Sequence, residues 1–190
     1  MAGVLTWFVL GAVGWTLAEQ LLHDRAGHRA KGRTDFSREH LRHHAEREYF
    51  TPTAKKVRTA GPVLGAASAA AAALAGSGGI AFVVGFGTMY AFYEWLHRRL
   101  HTHPPVGPVG RALRRHHFFH HFGDPRRNHG VTSAFWDLVF RQYAAPGRIR
   151  VPEARAMRWL VDPTTGEVWD AYRDDYQLVC RRGAPDAVEA

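Results

Sequence analysis

Residues 93–121 read YEWLHRRLHTHPPVGPVGRALRRHHFFHH and decide what kind of protein this is. The stretch begins where a long uncharged segment ends, and it holds His97, His101, His103, His116, His117, His120 and His121. Helical residues at i, i+3 and i+4 share a face. His97 and His101 therefore present two imidazoles in one arc, and His117, His120 and His121 present three. His103 would point away from the first pair if the helix continued. His116 sits about 100° off the second cluster.

The pattern recurs upstream. His40, His43 and His44 repeat the HxxHH spacing, and His23 precedes His28 by five residues. Residues five apart do not share a face on a regular α-helix. That pair converges if the helix ends between them, as Gly27 would allow. Ten positions can thus converge. One metal ion rarely takes more than about six ligands, so ten imidazoles imply two ions, each with four or five nitrogens and open positions. The chain has 13 histidines in 190 residues, and histidine is costly to bury unpaired but is the commonest metal ligand. Sulfur plays no part: Cys180 is the single cysteine, so no intrachain disulfide or CxxC site exists. Imidazole suits iron, zinc, copper or nickel. Two metals with open positions suit oxygen activation or hydrolysis.

The apolar residues are segregated, which the mean hydropathy of −0.29 hides. Met1 to Ala18 carries no charge and, with Leu21 and Leu22, has the roughly 20 residues a membrane helix needs. A cleaved signal peptide fits less well, for want of a basic start and a small-residue cleavage site. Thr59 to Tyr93 is also uncharged, and Gly76-Ser77-Gly78-Gly79 interrupts it. A helical hairpin is expected, with arms near 62–75 and 80–98. Gly61 and Gly65 form a GxxxG that would permit close packing. Residues 24–58 hold ten Lys/Arg against five acids, and residues 98–150 ten against two. The positive-inside rule puts both on the cytoplasmic side. All the histidines then lie at one interface, which favours oxygen chemistry on a lipid. A formal charge of +8 also suits an anionic surface, but a lipid- or nucleic-acid-binding basic face needs no HxxHH repeat, and no nucleic-acid partner is expected.

Glu19 lies four before His23 and Glu94 three before His97, each at the end of an apolar helix. A carboxylate there needs a partner, and ligand imidazoles usually donate to one. Both are candidates to orient histidines, with Asp124 and Asp137 as weaker ones. Past Arg150, Trp159–Val161 and Val168–Trp169 flank the turn Asp162-Pro163-Thr164-Thr165-Gly166, which suggests two short strands. Residues from Arg182 onward are expected to fray. The expected fold is an all-α integral membrane bundle of about three hydrophobic arms. It carries a cytosolic histidine-rich helical cap, residues 1–141 in all, and a small soluble C-terminal tail over 142–190.

These histidine clusters resemble the four boxes of the fatty acid hydroxylase and sterol desaturase superfamily. The segment Asn128-His129-Gly130-Val131-Thr132-Ser133-Ala134-Phe135-Trp136-Asp137 is similar to the family's "N-aromatic-G-[VI]-T-S…W-D" stretch. The resemblance covers roughly residues 17–141. It implies a membrane-bound non-haem di-iron enzyme that hydroxylates or desaturates a long-chain lipid with O2 and two external electrons, zinc being a substitute metal in purified material. It implies as ligands His23, His28, His40, His43, His44, His97, His101, His117, His120 and His121. His103, His116 and His129 are candidate additional ligands, His129 standing where the family usually has an aromatic residue. The family often has four membrane helices where this chain shows three arms, so a second subunit could complete a lipid tunnel. No fused cytochrome domain is visible, so a separate electron-donor protein is implied. The alternatives are a carotenoid ring hydroxylase and a metal-binding membrane protein without activity.

Overall fold

The computed structural model describes residues 2–180 and is mostly helical. Helix α1 covers Ala2–Leu21, α2 Asp35–Ala45, α3 Thr53–Thr102, α4 Gly107–Phe122 and α5 Phe135–Val139. Two helical segments, Gly3–Arg29 and Thr53–Thr102, are long and apolar enough to cross a membrane. Leu5, Val9, Leu10, Leu74, Ile80 and Val84 all point outward on them. Apolar faces of that extent suit hydrocarbon rather than water, and the chain is membrane-associated.

Helix α3 is the expected hairpin, two helical arms that meet at Gly76. Gly76 leaves helical geometry at φ 53°, ψ −131°, a conformation open to glycine because it has no Cβ. Across the break the Lys56 ammonium pairs with the Glu94 carboxylate, so the arms run antiparallel. The first arm starts at Thr53, earlier than the expected residue 62, and Pro62 lies inside it. The second arm runs on to Thr102 and so keeps His97 and His101 helical.

Helix α1 packs along α3 through glycines. A Cβ on Gly11 would fall 1.9 Å from the Phe82 carbonyl oxygen, and one on Gly85 2.0 Å from that of Phe8. The backbones approach that closely only where no side chain intervenes. The GxxxG of Gly61 and Gly65 is not at this contact. A Cβ on Gly65 would meet nothing, and one on Gly61 only Val57 of its own helix. Four-residue glycine spacing marks a smooth stripe but does not say which helix lies against it.

Past Leu21 the chain continues as a π-helix, Leu22–Arg29. Thr34 then caps α2, its Oγ1 accepting from the Ser37 backbone N–H. In the tail, the two short strands expected around the turn shrink to one antiparallel bridge, Val161 to Val168. The paired strands are β1, Ile149–Pro152, and β2, Tyr176–Val179, and they run parallel. Leu160, Met157, Val151 and Tyr176 bury there against Phe118 of α4. The expected fraying from Arg182 lies outside the described residues.

Candidate metal centre

The ten histidines that the spacing singled out meet in two groups of five. His23, His28, His40, His44 and His120 form one; His43, His97, His101, His117 and His121 form the other. Within each group one nitrogen per ring lies within 4.8 Å of every other.

The HxxHH spacing explains the division. On α2, His40 and His44 are one turn apart and face the first group, while His43, one residue round, faces the second. On α4, His117 and His121 face the second group and His120 the first. Each helix thus gives a pair to one group and a single ring to the other. His97 and His101 add an i,i+4 pair from α3. The rings of His44 and His121 stack across the boundary, centroids 4.0 Å apart.

His23 and His28 converge, but not by the helix ending. The π-helix closes i→i+5 hydrogen bonds, so residues five apart lie one above the other. The two rings stack with centroids 5.5 Å apart and 19° between planes. Gly27 serves a different purpose from the expected stop: a Cβ there would sit 2.8 Å from Cδ2 of His40. It lets the α2 ring slide against the π-helix. Gly27→Ala is expected to displace His40 and weaken metal retention about tenfold, as loss of an orienting contact does. Metal content after timed dialysis against a chelator checks it; wild-type retention would refute it.

The geometry fits metal ions. Nε2 of His28 lies 3.0 Å from Nε2 of His120 and 2.8 Å from that of His40. Nε2 of His43 lies 3.0 Å from that of His97, and Nε2 of His101 2.8 Å from that of His117. Nδ1 of His43 donates to the Tyr49 carbonyl and Nδ1 of His120 to that of Arg127, both at 2.7 Å. That fixes the tautomer and leaves each Nε2 a lone pair turned inward. Nε2 of His121 is buried without any hydrogen-bond partner. Burial, then neighbouring imidazoles, hold His40, His44, His117, His120 and His121 well below the ordinary histidine range. Burial lowers His43 to about 4. Neutral imidazole is the form that ligates.

The candidate carboxylates divide. Glu19 accepts from the Val131 and Thr132 backbone and from the Thr132 hydroxyl, so it anchors the 128–137 segment to α1 rather than orienting His23. Glu94 pairs with Lys56 and Asp124 with Arg126, and neither carboxylate is seen hydrogen-bonded to an imidazole among the described residues. Both had been expected to orient histidines; a cation within reach claimed each carboxylate instead. Asp137 is the hub. Its Oδ1 accepts from Gln20 Nε2 and the His129 backbone N–H, its Oδ2 from His116 Nε2 and the Gly130 backbone N–H, all within 2.8–2.9 Å. Burial alone would raise its pKa, but these donors hold the carboxyl well below the usual range.

The three candidate additional ligands separate likewise. His103 is exposed past the end of α3 and lies outside both groups. His116 is buried but turned to Asp137. His129 is fully buried, its ring 5.1 Å from that of His120 and 5.5 Å from that of His23. Its nitrogens lie 3.6 Å from Asp24 and 3.7 Å from Asp137, so it sits between two carboxylates at the edge of the first group. Sequence reasoning missed Gln20, which joins α1 to Asp137. A polar amide beside Glu19 at the end of an apolar helix was the available signal.

The family model for fatty acid hydroxylases matches residues 8–142, and the chain belongs to that family. It is 30% identical over 141 residues to a dihydroceramide fatty acyl 2-hydroxylase of Arabidopsis thaliana, covering 68% of this chain and 57% of that protein. It is 29% identical to a ceramide very long chain fatty acid hydroxylase of Schizosaccharomyces pombe, covering 72% of this chain and 42% of that one. Among solved structures, full-length scs7p, with only its hydroxylase domain visible, superposes with a TM-score of 0.63 at 28% identity. That match covers 75% of this chain and 57% of the other. The chain spans about half the length of these relatives.

Proposed function

We propose that the protein is a membrane-bound oxygenase that hydroxylates the fatty acyl chain of a lipid. The observation that carries this reading is the pair of five-imidazole groups at the ends of two apolar helices. His23, His28, His40, His44 and His120 would hold one iron ion, and His43, His97, His101, His117 and His121 the other. Two such ions supply the activation of O2 that an unreactive C–H bond requires. One oxygen atom enters the C–H bond, and the other leaves as water with two protons and two electrons.

The chain's own part is positional. The backbone carbonyls of Tyr49 and Arg127 hold His43 and His120 in the ligating tautomer. Burial keeps the α2 and α4 imidazoles neutral. The relatives' names make the acyl chain of a ceramide-like lipid the first substrate to try. The basic segments flanking both apolar helices support a cytoplasmic site, and suit docking of an acidic electron carrier.

Comparing total lipids of a host with and without the gene, under iron supply, tests the reading. Lipids heavier by one oxygen are expected, absent for His43→Ala and His120→Ala. Two metal ions per purified chain are expected. Unchanged lipids from an iron-loaded, reduced protein would sink the hydroxylase reading, and hydroxylated carotenes in a carotene-producing host would redirect it.

A further inference from the structure

Residues 148–180 follow the region matched by the family, yet they grip both histidine groups. Helices α2 and α3 end at the centre, with His44 in the last turn of α2 and His101 in the last turn of α3. The final carbonyls of a helix have no partner within it, and terminal turns fray unless something caps them. Both carbonyls are capped from one five-residue stretch of the tail. Arg155 Nη1 donates to the His44 carbonyl at 3.1 Å, and Trp159 Nε1 to the His101 carbonyl at 3.1 Å. Arg155 also brings a cation to the negative end of α2, where it is favoured.

Both donors are themselves fixed. The Trp159 ring is buried, its centroid 6.0 Å from that of Phe118 and 5.3 Å, edge-on, from that of Tyr172. The Arg155 guanidinium lies 5.6 Å over the Phe122 ring. Between them the Ala156 carbonyl accepts from Arg47, just past α2. The stretch is thus tied to α2, α3 and α4 together. His44 belongs to the first histidine group and His101 to the second.

We propose that the tail is a clasp, with Arg155 and Trp159 as positioning residues that each hold one ligand of one metal. Arg155 steadies the first site through His44, and Trp159 the second through His101. The clasp rests on the metal-binding reading above. A ligand on a fraying turn loses its fixed position, and its metal escapes faster.

The test uses the full chain in detergent, loaded with cobalt(II), whose visible bands report ligand geometry. Release to a chelator is timed. His28→Ala and His97→Ala, each damaging one group, give the signature of each site. Arg155→Met is expected to speed loss from the first site about tenfold, the weight of one charged hydrogen bond, and to leave the second unchanged. Arg155→Lys restores most of the retention. Trp159→Phe keeps an aromatic side chain, though a smaller one, and removes the N–H; it is expected to loosen the second site alone. Arg158→Ala breaks another tail contact, to Glu48, that touches no ligand, and is expected to change neither.

Equal loosening of both sites by either variant overturns the clasp, as does an equal effect of Arg158→Ala. No change in Arg155→Met overturns it even if Trp159→Phe fails to fold. A wild-type chain that takes up no cobalt overturns the metal reading and the clasp together. Normal wild-type loading with unselective variants overturns the clasp alone.

Discussion

Acidifying the metal-free protein in detergent from pH 7 to pH 5 is expected to unfold it. Six imidazoles on α2 and α4, those of His40, His43, His44, His117, His120 and His121, have pKa values lowered by burial. The ordinary value is 6.5, and His43 falls to about 4. Above pH 6.5 both folded and unfolded chains keep these rings neutral, so they contribute no pH dependence. As pH falls through 6.5, the unfolded chain takes up protons that the folded chain refuses, and stability drops until the folded pKa is reached. One pH unit below 6.5, each such histidine costs about 1.4 kcal/mol. Six together cost about 8 kcal/mol, comparable with the roughly 5–15 kcal/mol that holds a domain folded. Bound metal competes with those protons and shifts the transition to lower pH. Helicity followed by circular dichroism, with and without zinc, checks both parts. A metal-free protein that stays folded at pH 5 would contradict the first, and coincident transitions the second.

Some of this centre is legible in the sequence because its physics is local. HxxHH puts three rings on one side of a helix, and an uncharged run broken at Gly76 makes a hairpin. The parts that escaped depend on what arrives from elsewhere. His43 and His44 fall in different histidine groups, which follows from where α3 and α4 lie against α2. The His23–His28 pair needed a π-helix, and nothing in LHDRAGH distinguishes that from an α-helix ending at Gly27. The glycine there matters because the His40 ring comes against it. Gly11 and Gly85, neither with a glycine four residues away, make the close helix contact, and the GxxxG does not. Glu94 has the right spacing from His97, but Lys56 pairs with it, as Arg126 does with Asp124. The tail strands are four residues each, too short for alternation to announce them, and their parallel pairing joins segments some two dozen residues apart.

Asp137→Asn is expected to destabilise the protein by about 3–5 kcal/mol, the cost of breaking a buried ionic network from one side. The substitution changes one oxygen to an amide nitrogen and barely alters shape. Four donors nevertheless converge on this carboxylate, two on each oxygen. Gln20 and the His129 backbone face Oδ1; His116 and the Gly130 backbone face Oδ2. An asparagine offers one oxygen, so whichever way it flips, its NH2 meets two donors. The Gln20 amide can turn over and present its oxygen. The backbone N–H groups of His129 and Gly130 cannot, and one of them stays buried and unpaired in either orientation. The consequence reaches the first histidine group, because Asp137 ties α1, α4 and the 128–137 segment together where His23, His120 and His129 meet. Thermal unfolding in detergent is expected to show a clear loss in Tm, with the first metal site released before the second. Gln20→Leu removes a single side-chain donor and is expected to cost less. A wild-type Tm for Asp137→Asn would mean that the carboxylate's charge contributes nothing to the hub, and that shape alone holds α1 to the segment it carries.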